Sequence, residues 1–340
     1  MLLTKTKSIF LILSFCLFYT SCETPKFIKE KLADIRFNKS LAEQELSRPK
    51  NLNQIPFTLD SEYNYGCPVI KLKYKETDFF FLVDTGCTNS WISTAGIKKI
   101  YGSFDNFLDQ NLDSYIKWGK SNNIHKINGK SKKQIKKIYA DDLKKMNVIT
   151  TNVFSFDLFS GGFYYMPNSR KLDGTIGMDF LTNHENVTFD FVNKTIKFDD
   201  LRLNGSVIPL IIDNANTPYI EFSYQNKKEI GLLDTGNYTF SPRSNIGKDQ
   251  NHYNFEFNQN FSVAYNGKIK KRFPWLLNFD NIQIGSIDYN NIKGVYSNIW
   301  FSSYRKGAQN LLQHVNGIGC EFFRNHVIQF DWKNNEFIIK

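Results

Sequence analysis

Apolar and polar residues fall into two matching patterns along the chain. From Ile55 it reads IPFTLDSEYNYGCPVIKLKYKETDFFFLVDTG, and from Ile208 it reads IPLIIDNANTPYIEFSYQNKKEIGLLDTG. Each stretch opens with Ile-Pro, crosses a polar turn, alternates apolar with polar residues, turns back through a polar hairpin and enters an apolar run. Alternation predicts a strand with one buried face, and a run as apolar as 79–83 predicts a strand buried on both. Each apolar run stops at Asp-Thr-Gly, first at Asp84, Thr85 and Gly86, then at Asp234, Thr235 and Gly236.

The parallel continues downstream. INGKSKK from Ile127 matches YNGKIKK from Tyr265. Asn-Gly predicts a hairpin tip in each, at Ile127, Asn128 and Gly129 and at Tyr265, Asn266 and Gly267. GTIGMDFLTNHENVTFDFVNKTIKF from Gly174 matches NGIGCEFFRNHVIQFDWKNNEFII from Asn316. Both read as an apolar strand closing on glycine (Ile176-Gly177, Ile318-Gly319), a short helical turn, and a hairpin turning at Asn193-Lys194 or Asn334-Asn335. The expectation is an all-β chain of two homologous lobes, 52–203 and 204–340. The first lobe is the longer, and GSFDNFLDQNLDSYIKWGKSNN reads as a surface insertion with some helix.

Composition agrees with this picture. At 340 residues, 41% hydrophobic and 22% charged, the chain is long enough for two folded domains and too apolar for a disordered one. Phe, Tyr, Ile and Asn are plentiful and Ala is scarce, which favours strands and turns over long helices.

The first 22 residues have the form of an export signal: Lys5 and Lys7, an apolar run over 9–19, then Thr20-Ser21-Cys22. A cysteine directly after small residues resembles a bacterial lipoprotein signal, which implies lipidation at Cys22 and a lipid-anchored protein in the cell envelope. Tyr19 departs from the usual Leu there. A plain signal peptide with an incidental cysteine and a short uncleaved anchor are the competing readings. Residues 27–47 have helical spacing and mixed charge, as expected of a stalk over 23–51 or a removable pro-segment. Past the leader, Cys67, Cys87 and Cys320 allow one disulfide and leave one thiol over. The net charge of +10, with acids interleaved, points to a solvated basic surface, an anionic envelope or acidic ligands rather than nucleic acid.

A lone Asp-Thr-Gly commonly caps a turn. Two copies, each after a matched hairpin and each before an apolar-apolar-glycine strand, form a far more specific set. The set resembles the pepsin-like and retropepsin-like aspartic peptidases, in their bilobal single-chain form, over nearly the whole exported chain. The resemblance implies two β-barrel lobes about a pseudo-two-fold axis, with an interlobe cleft. It implies catalytic Asp84 and Asp234, one from each lobe, acting on water without metal or cofactor in a monomer that takes peptide or protein substrates. Thr85 and Thr235 would hold the pair rigid across the axis. Gly86 and Gly236 would turn the backbone beneath the carboxyls. Gly177 and Gly319, with Ile176 and Ile318, would let a strand pass beside each loop. The two Asn-Gly hairpins would stand where the family has its flap. The lysines beyond them (130, 132, 133, 136, 137; then 268, 270, 271 with Arg272) would favour acidic substrates or an anionic membrane surface, unless both are ordinary hairpins with a solvated face.

The chain departs from the family after each glycine. Ser, Thr or Ala is usual there; this sequence has Cys87 and Asn237. A thiol is a poor donor, so Asp84 is expected to be less well held as an anion, with a pH optimum less acidic than that of pepsin. His184 and His326 are expected at the surface rather than at the pair. No HExxH, paired-cysteine, GxSxG or phosphate-loop spacing occurs. The alternatives are a non-catalytic peptide- or protein-binding member of the same fold, and an envelope lipoprotein whose lobes merely pack.

Overall fold

The computed structural model describes residues 54–59, 66–144, 153–155, 160–162, 164–166, 172–214, 216–242, 256–257, 263–265, 268–270, 275–296 and 316–340. The leader with Cys22, the 23–51 segment and the Asn266-Gly267 tip lie outside them. The described chain is mostly strands in mixed sheets, with few helices.

In the first half the strands are β1 (Ile55–Thr58), β2 (Val69–Tyr74), β3 (Thr77–Val83) and β4 (Trp91–Ser93). Three helices follow: α1 (Thr94–Tyr101), α2 (Phe104–Ser121) and α3 (Lys132–Lys144). Then come β5 (Val153–Ser155), β6 (Ser160–Gly162), β7 (Tyr164–Met166), β8 (Gly174–Ile176), the single turn α4 (Met178–Leu181), β9 (Asn186–Asp190) and β10 (Thr195–Phe198).

The second half supplies β11 (Ser206–Pro209), β12 (Ile211–Ile212), β13 (Pro218–Tyr224), β14 (Lys227–Leu233), β15 (Glu256–Phe257), β16 (Val263–Tyr265) and β17 (Lys268–Lys270). It continues through β18 (Trp275–Phe279), β19 (Ile282–Ile284), β20 (Ile287–Tyr289), β21 (Ile292–Tyr296), β22 (Asn316–Ile318), β23 (Val327–Asp331) and β24 (Glu336–Ile339).

The matched stretches fold alike. β2 and β3 form one hairpin, with Lys75 at φ 53°, and β13 and β14 form the other, with Gln225 and Asn226 at 49° and 62°. Positive φ at the first central residue, or at both, is what the favoured two-residue hairpin turns demand. The terminal hairpins correspond as well. In β9–β10 the Asp190 carboxylate accepts from Asn193, and in β23–β24 the Asp331 carboxylate accepts from Asn334.

One eleven-stranded sheet, in the order β11-β24-β23-β9-β10-β1-β2-β3-β8-β4-β7, runs through both halves. They are joined where β9 pairs antiparallel with β23, Phe189 opposite Ile328. The seam is apolar: Phe189, Phe330 and Phe337 are fully buried, with the Phe189 and Phe330 rings edge to face. The second half adds a six-stranded sheet built on β13, β14, β19, β20 and β22, with β12 added to β13, a three-stranded sheet β15-β18-β21 and the pair β16-β17.

The insertion is more helical than its sequence suggested. Ser93 caps α1, its hydroxyl accepting from Ala95 and Gly96 N–H, and Ser103 caps α2. Leu108, Leu112 and Tyr115 of α2 are buried with Ile135, Tyr139 and Leu143 of α3, both at helical spacing. The expected hairpin at Ile127, Asn128 and Gly129 is not there. His125–Ile127 is a 3-10 turn between α2 and α3, with Ile127 buried against Gly119 of α2 and Gly129 at φ 69°. Asn-Gly marks a reversal of the chain, and here helices rather than strands flank it. Of the lysines beyond it, those from Lys132 on are therefore helical, and Lys132 and Lys136 pair with Asp113, Asp105 and Asp109 of α2. In the second copy a hairpin does form: Tyr265 opposes Lys268 across β16 and β17.

Candidate functional site: two carboxyls on paired turns

β3 and β14 each end beside a parallel partner. Val83 lies opposite Ile176 of β8, and Leu233 lies opposite Ile318 of β22. The next backbone N–H in each case, that of Asp84 or Asp234, donates to Ile176 O or Ile318 O at 3.0 Å. Both chains then turn tightly. Cys87 N–H returns to Asp84 O at 3.2 Å and Asn237 N–H to Asp234 O at 3.1 Å. Each glycine N–H donates to the aspartate before it: Gly86 to Asp84 Oδ1 at 2.8 Å, and Gly236 to Asp234 Oδ1 at 3.0 Å.

The two turns are bonded to each other through their threonines. Thr85 N–H donates to Thr235 Oγ1, and Thr235 N–H to Thr85 Oγ1, both at 3.0 Å. Thr85 Oγ1 donates to Leu233 O at 2.7 Å and Thr235 Oγ1 to Val83 O at 2.8 Å. Both side chains are buried, so all four bonds are shielded from water.

Above the threonines the carboxyls cross. A Cβ added to Gly86 would stand 2.5 Å from the Asp234 carboxyl carbon, and one added to Gly236 would collide with the Asp84 carboxyl. Glycine is required at both places because each loop lies under the other loop's acid. The carboxyls of Asp84 and Asp234 hydrogen-bond one another, and each residue keeps partial exposure. Desolvation first, then the Asp84 charge and that hydrogen bond, push Asp234 well above the ordinary carboxylate range. N–H groups of Gly236 and Asn237 oppose the shift. Two acids this close hold one proton between them far more readily than they ionise together.

Gly177 and Gly319 lie where strands pass close to these loops. A Cβ at Gly177 would be 2.6 Å from Asn89 C, and at Gly319 it would collide with Thr239 O. Beyond them Met178 N–H donates to Cys87 O and Cys320 N–H to Asn237 O, both at 2.8 Å. The sequence-identified residues Asp84, Thr85, Gly86, Cys87, Ile176, Gly177, Asp234, Thr235, Gly236, Asn237, Ile318 and Gly319 thus come together.

The two atypical residues turn to other partners. The Cys87 thiol donates to Asn89 O at 3.1 Å, and burial with the adjacent Asp84 charge pushes it up, keeping it protonated. The Asn237 amide donates to Ser241 Oγ at 3.0 Å and its oxygen accepts from Thr239 N–H at 3.3 Å. His184 is buried rather than on the surface. It meets Asp199 at 2.9 Å, and its ring packs on Phe180 and Phe198, a cage of bulky neighbours that the sequence spacing did not reveal. His326 is half-buried against Tyr289.

Several supporting residues escaped the sequence reading. Ser90 donates through both N–H and Oγ to Asp179 Oδ1, and its Oγ accepts from Gly177 N–H at 3.0 Å. In the second half Glu321 bonds the Tyr238 hydroxyl and pairs with Arg324, whose guanidinium lies over the Tyr238 ring at 4.5 Å. An acid two places after each glycine was the one local sign of these anchors.

No family model and no curated protein matches the chain. Among solved structures, it is similar to a retropepsin-like aspartic protease from Rickettsia conorii at 16% identity, over 40% of this chain and 90% of that one, with a TM-score of 0.28. It is also similar to conglutin gamma, a basic 7S globulin from lupine seeds, at 9% identity over 85% of this chain and 95% of that one, with a TM-score of 0.43.

Proposed function

We propose that the chain is an aspartic endopeptidase, its two halves acting as lobes about a pseudo-two-fold axis with the substrate in the cleft between them. The observation that carries this reading is the Asp84–Asp234 carboxyl pair on turns cross-bonded by Thr85 and Thr235. One proton shared between the acids leaves one oxygen basic enough to take a proton from water and the other acid able to hydrogen-bond the scissile carbonyl. The water attacks, the carbonyl oxygen is protonated, and the proton taken from water passes to the leaving nitrogen as the C–N bond breaks. Aspartic proteases as a class share a proton between their two acids in this way. Nothing in the residues assigns base and acid between Asp84 and Asp234. Buried threonine bonds support the mechanism because catalysis depends on carboxyls held in place before substrate arrives. The β16–β17 hairpin is the remaining flap candidate. Export, lipid attachment at Cys22 and action as a monomer belong to the same proposal.

A second reading, a peptide-binding relative that does not cleave, draws support from Cys87 and Asn237, whose side chains serve Asn89 and Ser241 rather than the carboxyls. Incubating the purified chain with a diverse peptide library across pH, beside Asp84→Asn and Asp234→Asn, separates the two. Cleavage that falls by about a hundredfold or more in both variants is expected. Peptide binding without cleavage at every pH would replace the peptidase with the second reading.

A further inference from the structure

Cys67 and Cys320 stand in opposite halves of the sequence, yet their thiols meet. Cys67 lies just before β2, and Cys320 opens the 3-10 turn that follows Gly319. Both are buried free thiols, at 1% and 0% exposure. The Cys320 thiol donates its proton to Thr235 O at 3.0 Å, and the Cys67 thiol lies beside it. The backbone before Cys67 is fixed as well. Gly66, at φ 95°, lies under the Tyr238 ring, where an added Cβ would be 2.8 Å from it. The third cysteine is engaged elsewhere, since the Cys87 thiol donates to Asn89 O.

We propose that Cys67 and Cys320 are joined by a disulfide when the chain folds in the presence of a disulfide oxidant. The bond ties the start of β2 to the end of β22, directly behind the Asp234 turn. It settles which pair forms the one bridge that three cysteines allow, and leaves Cys87 as the free thiol. One thiolate attacks a sulfur of the oxidant, forming a mixed disulfide and releasing one oxidant thiol. The second thiolate then displaces the other, so two protein thiols become one S–S bond and the oxidant's disulfide becomes two thiols. Both sulfurs are enclosed in the folded chain, and burial with the neighbouring acids keeps Cys320 protonated there, so the exchange belongs to folding, before the sulfurs are covered. The inference does not depend on peptidase activity, and neither does its test.

The full chain is unfolded with reductant, refolded in a mixture of oxidised and reduced glutathione, quenched with acid, and alkylated with N-ethylmaleimide in denaturant, where buried thiols are open to the reagent, before non-reducing peptide mapping. The expected product links the Cys67 and Cys320 peptides, with Cys87 alkylated, and Cys87→Ala leaves the link intact. Alkylation of Cys67 and Cys320 in the folded product, or a bridge from either to another cysteine, would overturn the proposal. A bond between residues so distant in sequence restricts the unfolded chain strongly. Adding reductant is therefore expected to lower the melting midpoint of the oxidised protein by roughly 5 °C or more and to leave Cys320→Ala unmoved. The peptide map of the unaltered chain remains decisive should that variant fail to fold.

Discussion

The turns carrying Asp84 and Asp234 share one backbone and use two sets of anchors. Matching N–H groups bond matching carbonyls in both, from the link to the glycine strand through the tight turn to the reciprocal threonines. The next layer of side chains differs. The Asp84 turn rests on Ser90 and Asp179, a half-buried acid that its surroundings push up through desolvation against the opposing Ser90 bonds. The Asp234 turn rests on Asn237 and Ser241, with Tyr238, Glu321 and Arg324 outside them. Backbone and threonine geometry, common to both, is what places the carboxyls. The side-chain anchors vary because many arrangements can hold the same loop.

That division predicts where substitution does most harm. Replacing Thr85 by Val strands the Leu233 carbonyl and the Thr235 N–H in a buried place, and replacing Thr235 strands Val83 O and Thr85 N–H. Each buried group left without a partner costs about 1–3 kcal/mol, so each variant, which strands two, is expected to lose roughly 2–6 kcal/mol of stability in chemical denaturation. The two losses should agree, and because each hydroxyl makes its own two bonds the double variant is expected to lose about their sum. A large loss in one variant and none in the other would break the equivalence of the turns.

Both turns were legible in the sequence. Two apolar runs stopping at Asp-Thr-Gly, and two glycines closing short strands, are local signals whose physical reasons hold: each glycine lies against a carboxyl or a backbone where no Cβ fits. Contacts between distant residues were not legible. Ser90 meets Asp179 and β9 meets β23 because the chain brings them together; the acid two places past Gly177 marks one partner, and nothing beside Ser90 or β9 marks the other. Asn128-Gly129 misled for a related reason. The pair reports a turn and nothing about its flanks, where Ile135, Tyr139 and Leu143 show helical spacing and are buried.

A smaller effect follows from the charge the pair confines. Asp234 is raised above its ordinary value, so the folded state binds a proton that the unfolded state has released once the pH exceeds the ordinary carboxylate range. Its contribution is present in full at pH below that range and is lost as the pH rises through the folded value. Asp234→Asn removes the titration and keeps the shape. Its melting midpoint is expected to exceed that of the parent at pH 7, with the gain shrinking as the pH is lowered toward 3. A gain of equal size at both values would mean that the effect is not one of charge.

The smallest expected change tests the residue that sets the first turn apart. The Cys87 thiol is directed at Asn89 O at 3.1 Å, and a serine hydroxyl on the same Cβ inherits that acceptor. Cys87→Ser is therefore expected to leave the acid limb of the pH–rate profile within about half a unit of the parent, less than one new neutral hydrogen bond to the carboxylate would shift it. A shift toward acid beyond that would show the hydroxyl turning to Asp84 to hold it as the anion. Cys87 would then be the reason the first turn works at a higher pH than a serine-bearing one.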